Sequence, residues 1–120
     1  MSEPRSKPVG PYTPIVRAGD WLVVSGQVGV AEGGLVRGGV QVELRQALTN
    51  LQSLLEGEGA SLSDVVKTTV FLRHIDDYTL MNETYVEMFG DHRPARSAVA
   101  VAGLPLGALV EVEAWAAVRS

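Results

Sequence analysis

Apolar residues along this chain follow two rhythms. Between Val40 and Glu56, Leu44, Ala47, Leu48, Leu51, Leu54 and Leu55 recur at spacings of three and four. That spacing lays one stripe along a helix, and Gly57 and Gly59 stop it. Asp76 or Asp77 can cap a second helix, in which Tyr78, Met81, Tyr85, Met88 and Phe89 repeat the spacing as a core stripe until Gly90. Elsewhere the chain reads as strands. Ile15 to Arg17 and Trp21 to Ser25 form a hairpin across the turn "AGD". "GGLVRGG" is a loop around a short strand at Leu35 and Val36, "SLSD" is a turn, and Val65 to Leu72 is a β-branched and aromatic strand. Ser97 to Ala102, the loop "GLPLG" and Leu109 to Val118 are expected to make a closing hairpin.

The last strand separates two faces. Val110, Val112, Ala114, Ala116 and Val118 alternate onto one apolar side, while Leu109, Glu111, Glu113, Trp115 and Ala117 fall on the other. The order β-β-(β)-α-β-α-β-β, with one apolar stripe per helix, predicts a two-layer α+β domain: a mixed sheet covered on one face by two helices. No helix is left for the face carrying Glu111, Glu113 and Trp115. An uncovered face of mixed apolar and charged residues predicts a homo-oligomer. Residues 1–120 read as a single domain, with Met1 to Val9 as an N-terminal arm.

Composition narrows the function classes. The 120 residues are 46% hydrophobic and 20% charged, ordinary for a globular chain rather than a disordered one. The net charge of −4 argues against a binder of phosphate backbones. With no cysteine, thiolate catalysis, disulfides and cysteine zinc sites are excluded, and His74 and His92 are too few for a histidine-rich metal site. Both histidines sit in turn-like contexts and are expected to be exposed. The polar, proline-bearing N-terminus has no apolar h-region and no apolar run approaches ~20 residues, so a cytoplasmic location is expected. The glycines of "GGLVRGG" lack the spacing and lysine of a phosphate loop.

One stretch poses a chemical question. "RPARSAVAV", Arg93 to Val101, is a strand-like run that places Arg96 beside small apolar residues. A guanidinium keeps its charge, so either Arg96 points into water or something negative comes to meet it. Arg96 and Glu111, both in the expected closing hairpin, belong to a set of segments that resembles the Rid family (the YjgF or L-PSP type). The carrying stretches are "GPYTP", "VVSGQV", "RQALTNLQSLLEGEGASLSDVVKTTVFL", "MNETYVEMF", "RPARSAV" and "LVEVEAWA", in that order, over nearly the whole chain.

The resemblance implies a chorismate-mutase-like fold, a trimer with helices outside, and sites in clefts between subunits. It implies a RidA-like deaminase, which hydrolyses 2-aminoacrylate/2-iminopropanoate and related imines to a 2-ketoacid and ammonia without a cofactor or metal. The arginine of "PARS", here Arg96, would clamp the substrate carboxylate through two parallel bonds. Similarity to the family's site also points to Tyr12, Ser25, Gly26, Asn82 and Glu111. Ala98 falls in the binding set where relatives often carry cysteine, so no thiol acts there. An iminium carbon is already electrophilic, and orienting one water can suffice. Glu111 is the candidate to orient it or accept its proton, for which a raised pKa would help. Tyr12 would close the pocket or donate a hydrogen bond, and Gly26 would let backbone approach the ligand or permit a bulge.

Blander roles stand beside these. Arg96 can be an interface ion-pair residue, Tyr12 a packing residue, Asn82 a solvated one, and Glu113 reads as structural. Two other functions compete with the enzyme: a non-catalytic module that senses 2-ketoacids, and the endoribonuclease or translation inhibitor of the family name. The acidic balance and the lack of a basic, aromatic-rich surface count against the latter. A hairpin symmetric about Pro105 would put Ser97 and Val99 on the face of Glu111 and leave Arg96 on the other. A bulge, a one-residue slip or a site between subunits would reconcile that with a shared site.

Overall fold

The computed structural model describes residues 10–118; the expected arm, Met1 to Val9, lies outside the described residues. The strands are β1 (Ile15–Ala18), β2 (Trp21–Gln27), β3 (Val30–Ala31), β4 (Gly34–Leu35), β5 (Val65–Leu72), β6 (Ala95–Ala100) and β7 (Val110–Ala117). The helices are α1 (Val40–Glu56) and α2 (Tyr78–Phe89). A five-stranded sheet runs in the order β1-β2-β7-β5-β6, and β3 pairs with β4 in a small separate ribbon. The two helices cover one face of the large sheet, the predicted α+β architecture.

Both helical stripes pack on the sheet. Leu44, Leu48, Leu51 and Leu55 of α1 and Met81, Tyr85 and Phe89 of α2 are buried with Leu22, Val24, Val65, Val70, Leu72, Val110, Val112, Ala114 and Ala116 in one cluster. Burying a leucine of this kind contributes about 1.5–3 kcal/mol, which is what holds the helices against the strands. Arg45 joins the helices outside with a bidentate pair to Glu87. At the end of α2, Arg93 donates to the carbonyls of Gly90 and His92, satisfying acceptors at the helix terminus.

Several local expectations are corrected. The closing hairpin does not form: β6 and β7 flank β5, with β6 parallel and β7 antiparallel to it. A parallel partner needs a crossover, which α2 supplies, and the segment after β6 then passes over the end of β5. The β6 strand also starts at Ala95, so Arg96 lies inside it. In the region expected to hold one short strand, a tight hairpin, β3–β4, turns through Glu32 and Gly33 at positive φ. Asp77 occupies the N-cap of α2 but makes no side-chain cap bond, because a 3₁₀ turn, Ile75–Asp77, leads straight into the helix. Tyr78 leaves the core stripe and is 41% exposed, whereas Thr84 is buried. His92 is not free in solvent: its Nε2 lies 2.6 Å from the Val65 carbonyl and its ring packs near Phe89.

Glu43 is the one strongly buried carboxylate among the described residues, only 4% exposed, in the first turn of α1. Its Oε1 accepts the Leu109 N–H at 2.7 Å, tying α1 to the start of β7. Burial raises its pKa, opposed by the Leu109 and Val110 amides, with Asp77 raising it further. A carboxyl with a raised folded pKa binds more protons folded than unfolded, so its contribution is full below the unfolded pKa and fades as pH rises through the folded one. Glu43→Gln keeps an acceptor for Leu109 and is expected to flatten that loss of stability in chemical denaturation run from acid to neutral pH. Glu43→Ala strands a buried N–H and should destabilise by about 1–3 kcal/mol.

Candidate functional site

Arg96 and Glu111 lie on opposite sides of the sheet within one protomer. Thr68 of β5 is in register with Arg96 on one side and Ala114 on the other, and Ala114 faces the helices. Phe71 is in register with Val99 and Glu111, and Thr69 with Ser97 and Glu113. Alternation therefore turns Arg96 and Ala98 toward the helices and Ser97, Val99, Glu111 and Glu113 to the uncovered face. The opposition that a symmetric hairpin would produce holds, though it is transmitted through β5.

On the helix side, α2 builds a neutral cage for the arginine. Arg96 Nη1 donates to Asn82 Oδ1 at 2.8 Å, and Nη2 donates to the Tyr78 hydroxyl at 3.0 Å. The guanidinium carbon lies 4.9 Å from the Tyr85 ring centre and 5.5 Å from that of Tyr78, within cation–π range. Nη1 also contacts Met81 Sδ at 3.6 Å. Tyr78, Met81, Asn82 and Tyr85 share one helical face because they are spaced by three and four. The Tyr85 hydroxyl is spent on Thr68 Oγ1 at 2.6 Å, and burial raises its pKa, so Tyr85 stays neutral. None of these groups is anionic, and Arg96 makes no ion pair among the described residues.

On the uncovered face, Glu111 lies against Gly26. The β2–β7 register shifts between Val24 and Gln27, so the bulge expected at Gly26 is present. A Cβ on Gly26 would collide with the Glu111 carboxylate and stand 2.7 Å from its Cδ. Glycine is what lets that side chain lie across the strand. Burial raises the pKa of Glu111, and the neighbouring Glu113 raises it further. Ser25 does not reach Glu111; its Oγ donates to the Thr13 carbonyl at 2.6 Å and its N–H to that of Pro14, fastening the "GPYTP" segment to β2. Tyr12 in that segment is exposed and has no side-chain hydrogen bond to Arg96 or Glu111.

The protomer thus gathers Arg96 with Asn82, and Glu111 with Gly26, but does not bring the two groups together. Ala98 sits two residues beyond Arg96 on its side of β6, packed against the core. Tyr78 and Tyr85 escaped the sequence reading because both were assigned to the core stripe. Their spacing around Asn82 was the available signal. The contact of Lys67 Nζ with Ser97 Oγ at 2.8 Å, on the uncovered face, was also unforeseen.

Comparison with known proteins identifies the family. The profile of the family described as Endoribonuclease L-PSP matches residues 2–118. The chain belongs to the Rid family, of L-PSP type. A RutC family protein of Pyrococcus horikoshii is 43% identical over 118 residues, covering 97% of this chain and 94% of that one. Human 2-iminobutanoate/2-iminopropanoate deaminase is 43% identical over 110 residues, covering 90% of this chain and 80% of its own. The crystal structure of Escherichia coli TdcF with bound serine superposes with a TM-score of 0.89 at 36% identity, covering 97% of this chain and 94% of that chain. This Rid chain is RidA-like, and its mixed sheet with two helices is the fold of those neighbours.

In a carboxyl-resolved NMR titration, Glu111 is expected to titrate above the ordinary glutamate range. Glu113→Gln should bring it part of the way back, leaving the part caused by burial. An ordinary Glu111 titration would contradict the burial of its carboxyl.

Proposed function

We propose that this protein hydrolyses 2-imino acids to 2-ketoacids and ammonia. The observation that carries the reading is Arg96: a half-buried guanidinium oriented by Asn82 and Tyr78, with no carboxylate beside it among the described residues. Such a cation is prepared for an anion from outside, and a small carboxylate matches its planar fork. The names of the human relative and of the serine-bound TdcF structure support a ligand carrying a carboxylate.

The reaction adds water across the C=N bond. The water oxygen bonds to the imine carbon, the nitrogen takes up the protons, and the C–N bond breaks to leave the ketone and ammonia. Arg96 holds the carboxylate and so fixes the carbon. Glu111, with its raised pKa, accepts the proton of the attacking water or orients it. Gly26 leaves room for Glu111, Asn82 and Ser25 keep Arg96 and the Tyr12 segment in place, and Ala98 leaves space beside the arginine. Tyr12 closes the cleft. No step calls for a cofactor.

Because Arg96 and Glu111 face opposite sides of the sheet, one substrate meets both only if they come from different protomers. Between them lie two strand spacings, roughly 10 Å, and three register positions, about another 10 Å. The uncovered face carries Trp21 and Trp115 in an edge-to-face pair, 42% and 45% exposed, beside Val16 and Val23. That face is the proposed contact of a homotrimer with sites between subunits.

2-Iminopropanoate generated in place by an amino-acid oxidase and followed by trapping provides the test. The wild-type protein is expected to speed its loss, and Arg96→Ala to lower kcat/KM roughly 10- to 150-fold, the worth of a charge-assisted hydrogen bond. A folded, oligomeric wild type that leaves the rate unchanged while binding pyruvate would replace the enzyme with a ketoacid sensor.

A further inference from the structure

We propose that Tyr78 is a second donor to the carboxylate that Arg96 holds, and so a specificity-determining residue for anionic ligands. This rests on the reading of Arg96 as a carboxylate clamp. The hydroxyl of Tyr78 accepts from Nη2 at 3.0 Å, which uses an oxygen lone pair and leaves its own proton to point elsewhere. No described residue accepts that proton, whereas the hydroxyl of Tyr85, on the same face of α2, is paired with Thr68. Tyr78 is 41% exposed, so its hydroxyl borders the open side of the cage rather than the core.

The distances allow the two oxygens of one carboxylate to meet both groups. With one carboxylate oxygen about 2.8 Å from Nη2 along its other N–H, the second oxygen, about 2.2 Å further on, comes within about 2.8 Å of the phenol oxygen that is itself 3.0 Å from Nη2. Each donor then has an oxygen of its own, and the N–H that Tyr78 already accepts is left in place. The ring stacked on the guanidinium keeps the hydroxyl beside it. A neutral donor adds affinity for a carboxylate without cancelling the charge of Arg96. It gives a ligand with an uncharged end less, because an amide presents a weaker acceptor.

Tyr78→Phe removes the hydroxyl and keeps the ring. Calorimetric titration of the full-length wild type and variant with pyruvate, and with pyruvamide as its uncharged counterpart, separates the possibilities. Pyruvate affinity is expected to fall roughly tenfold while pyruvamide changes less than twofold, with thermal stability unchanged. In turnover of 2-iminopropanoate, KM is expected to rise more than kcat falls, since the contact is made in ground and transition states alike. Unchanged pyruvate affinity would overturn the proposal while leaving the Arg96 reading intact. Equal losses for pyruvate and pyruvamide would also overturn it, showing an effect on pocket shape. Arg96→Ala is the parallel control: if wild type and Arg96→Ala bind pyruvate alike, the clamp itself fails and Tyr78 falls with it.

Discussion

A strand sends successive side chains to opposite faces, and β5 imposes that rule on both of its neighbours at once. β6 and β7 are each in register with β5, so the face of every residue on them is set by its partner there. Arg96 is level with Thr68, which points under the helices, and Glu111 with Phe71, which points away. A register slip of one residue would turn the whole apolar set of β7 to the outside, so packing of Val110, Val112, Ala114 and Ala116 fixes the position of the acid as well. The arrangement of the site follows from the requirements of the core.

The two halves of the candidate site are stabilised differently. The arginine is carried on an edge strand and steadied by a helix, through neutral acceptors and aromatic rings. These compensate the cation in part and leave its charge available. The acid rests on a central strand, pressed by burial and by Glu113, beside a glycine bulge that gives it room. In the proposed function, bringing both halves to one ligand falls to the homotrimer, which links the chemistry to the uncovered sheet face.

Much of this was legible in the chain. The periods of α1 and β7 located the helix stripe, the buried strand face and the face left without cover. Gly26 following an apolar run marked the bulge. That Arg96 and Glu111 face opposite sides was expected only for a hairpin symmetric about Pro105; the opposition holds although that pairing does not form. What misled was proximity in sequence. β6 and β7 are separated by a short glycine- and proline-bearing loop, which favours a hairpin, while nothing local shows that β5 will come between them. Tyr78 was misread for a related reason: spacing shows which helical face a residue occupies, but not where the sheet beneath it ends. It lies at the first turn of α2, where the partner is a side chain from the edge strand rather than the core.

In the proposed function, Arg96 of one protomer works with Glu111 of another. Arg96→Ala and Glu111→Gln chains carrying different affinity tags can be co-expressed and mixed assemblies isolated through both tags. Each parent assembly lacks one half of every site. In a trimer with sites between neighbours, either mixed composition restores one site, and 2-iminopropanoate hydrolysis is expected at about a third of the wild-type rate. Mixed trimers as inactive as their parents, beside an active wild type, would show that Arg96 and Glu111 do not complete a site across neighbouring chains.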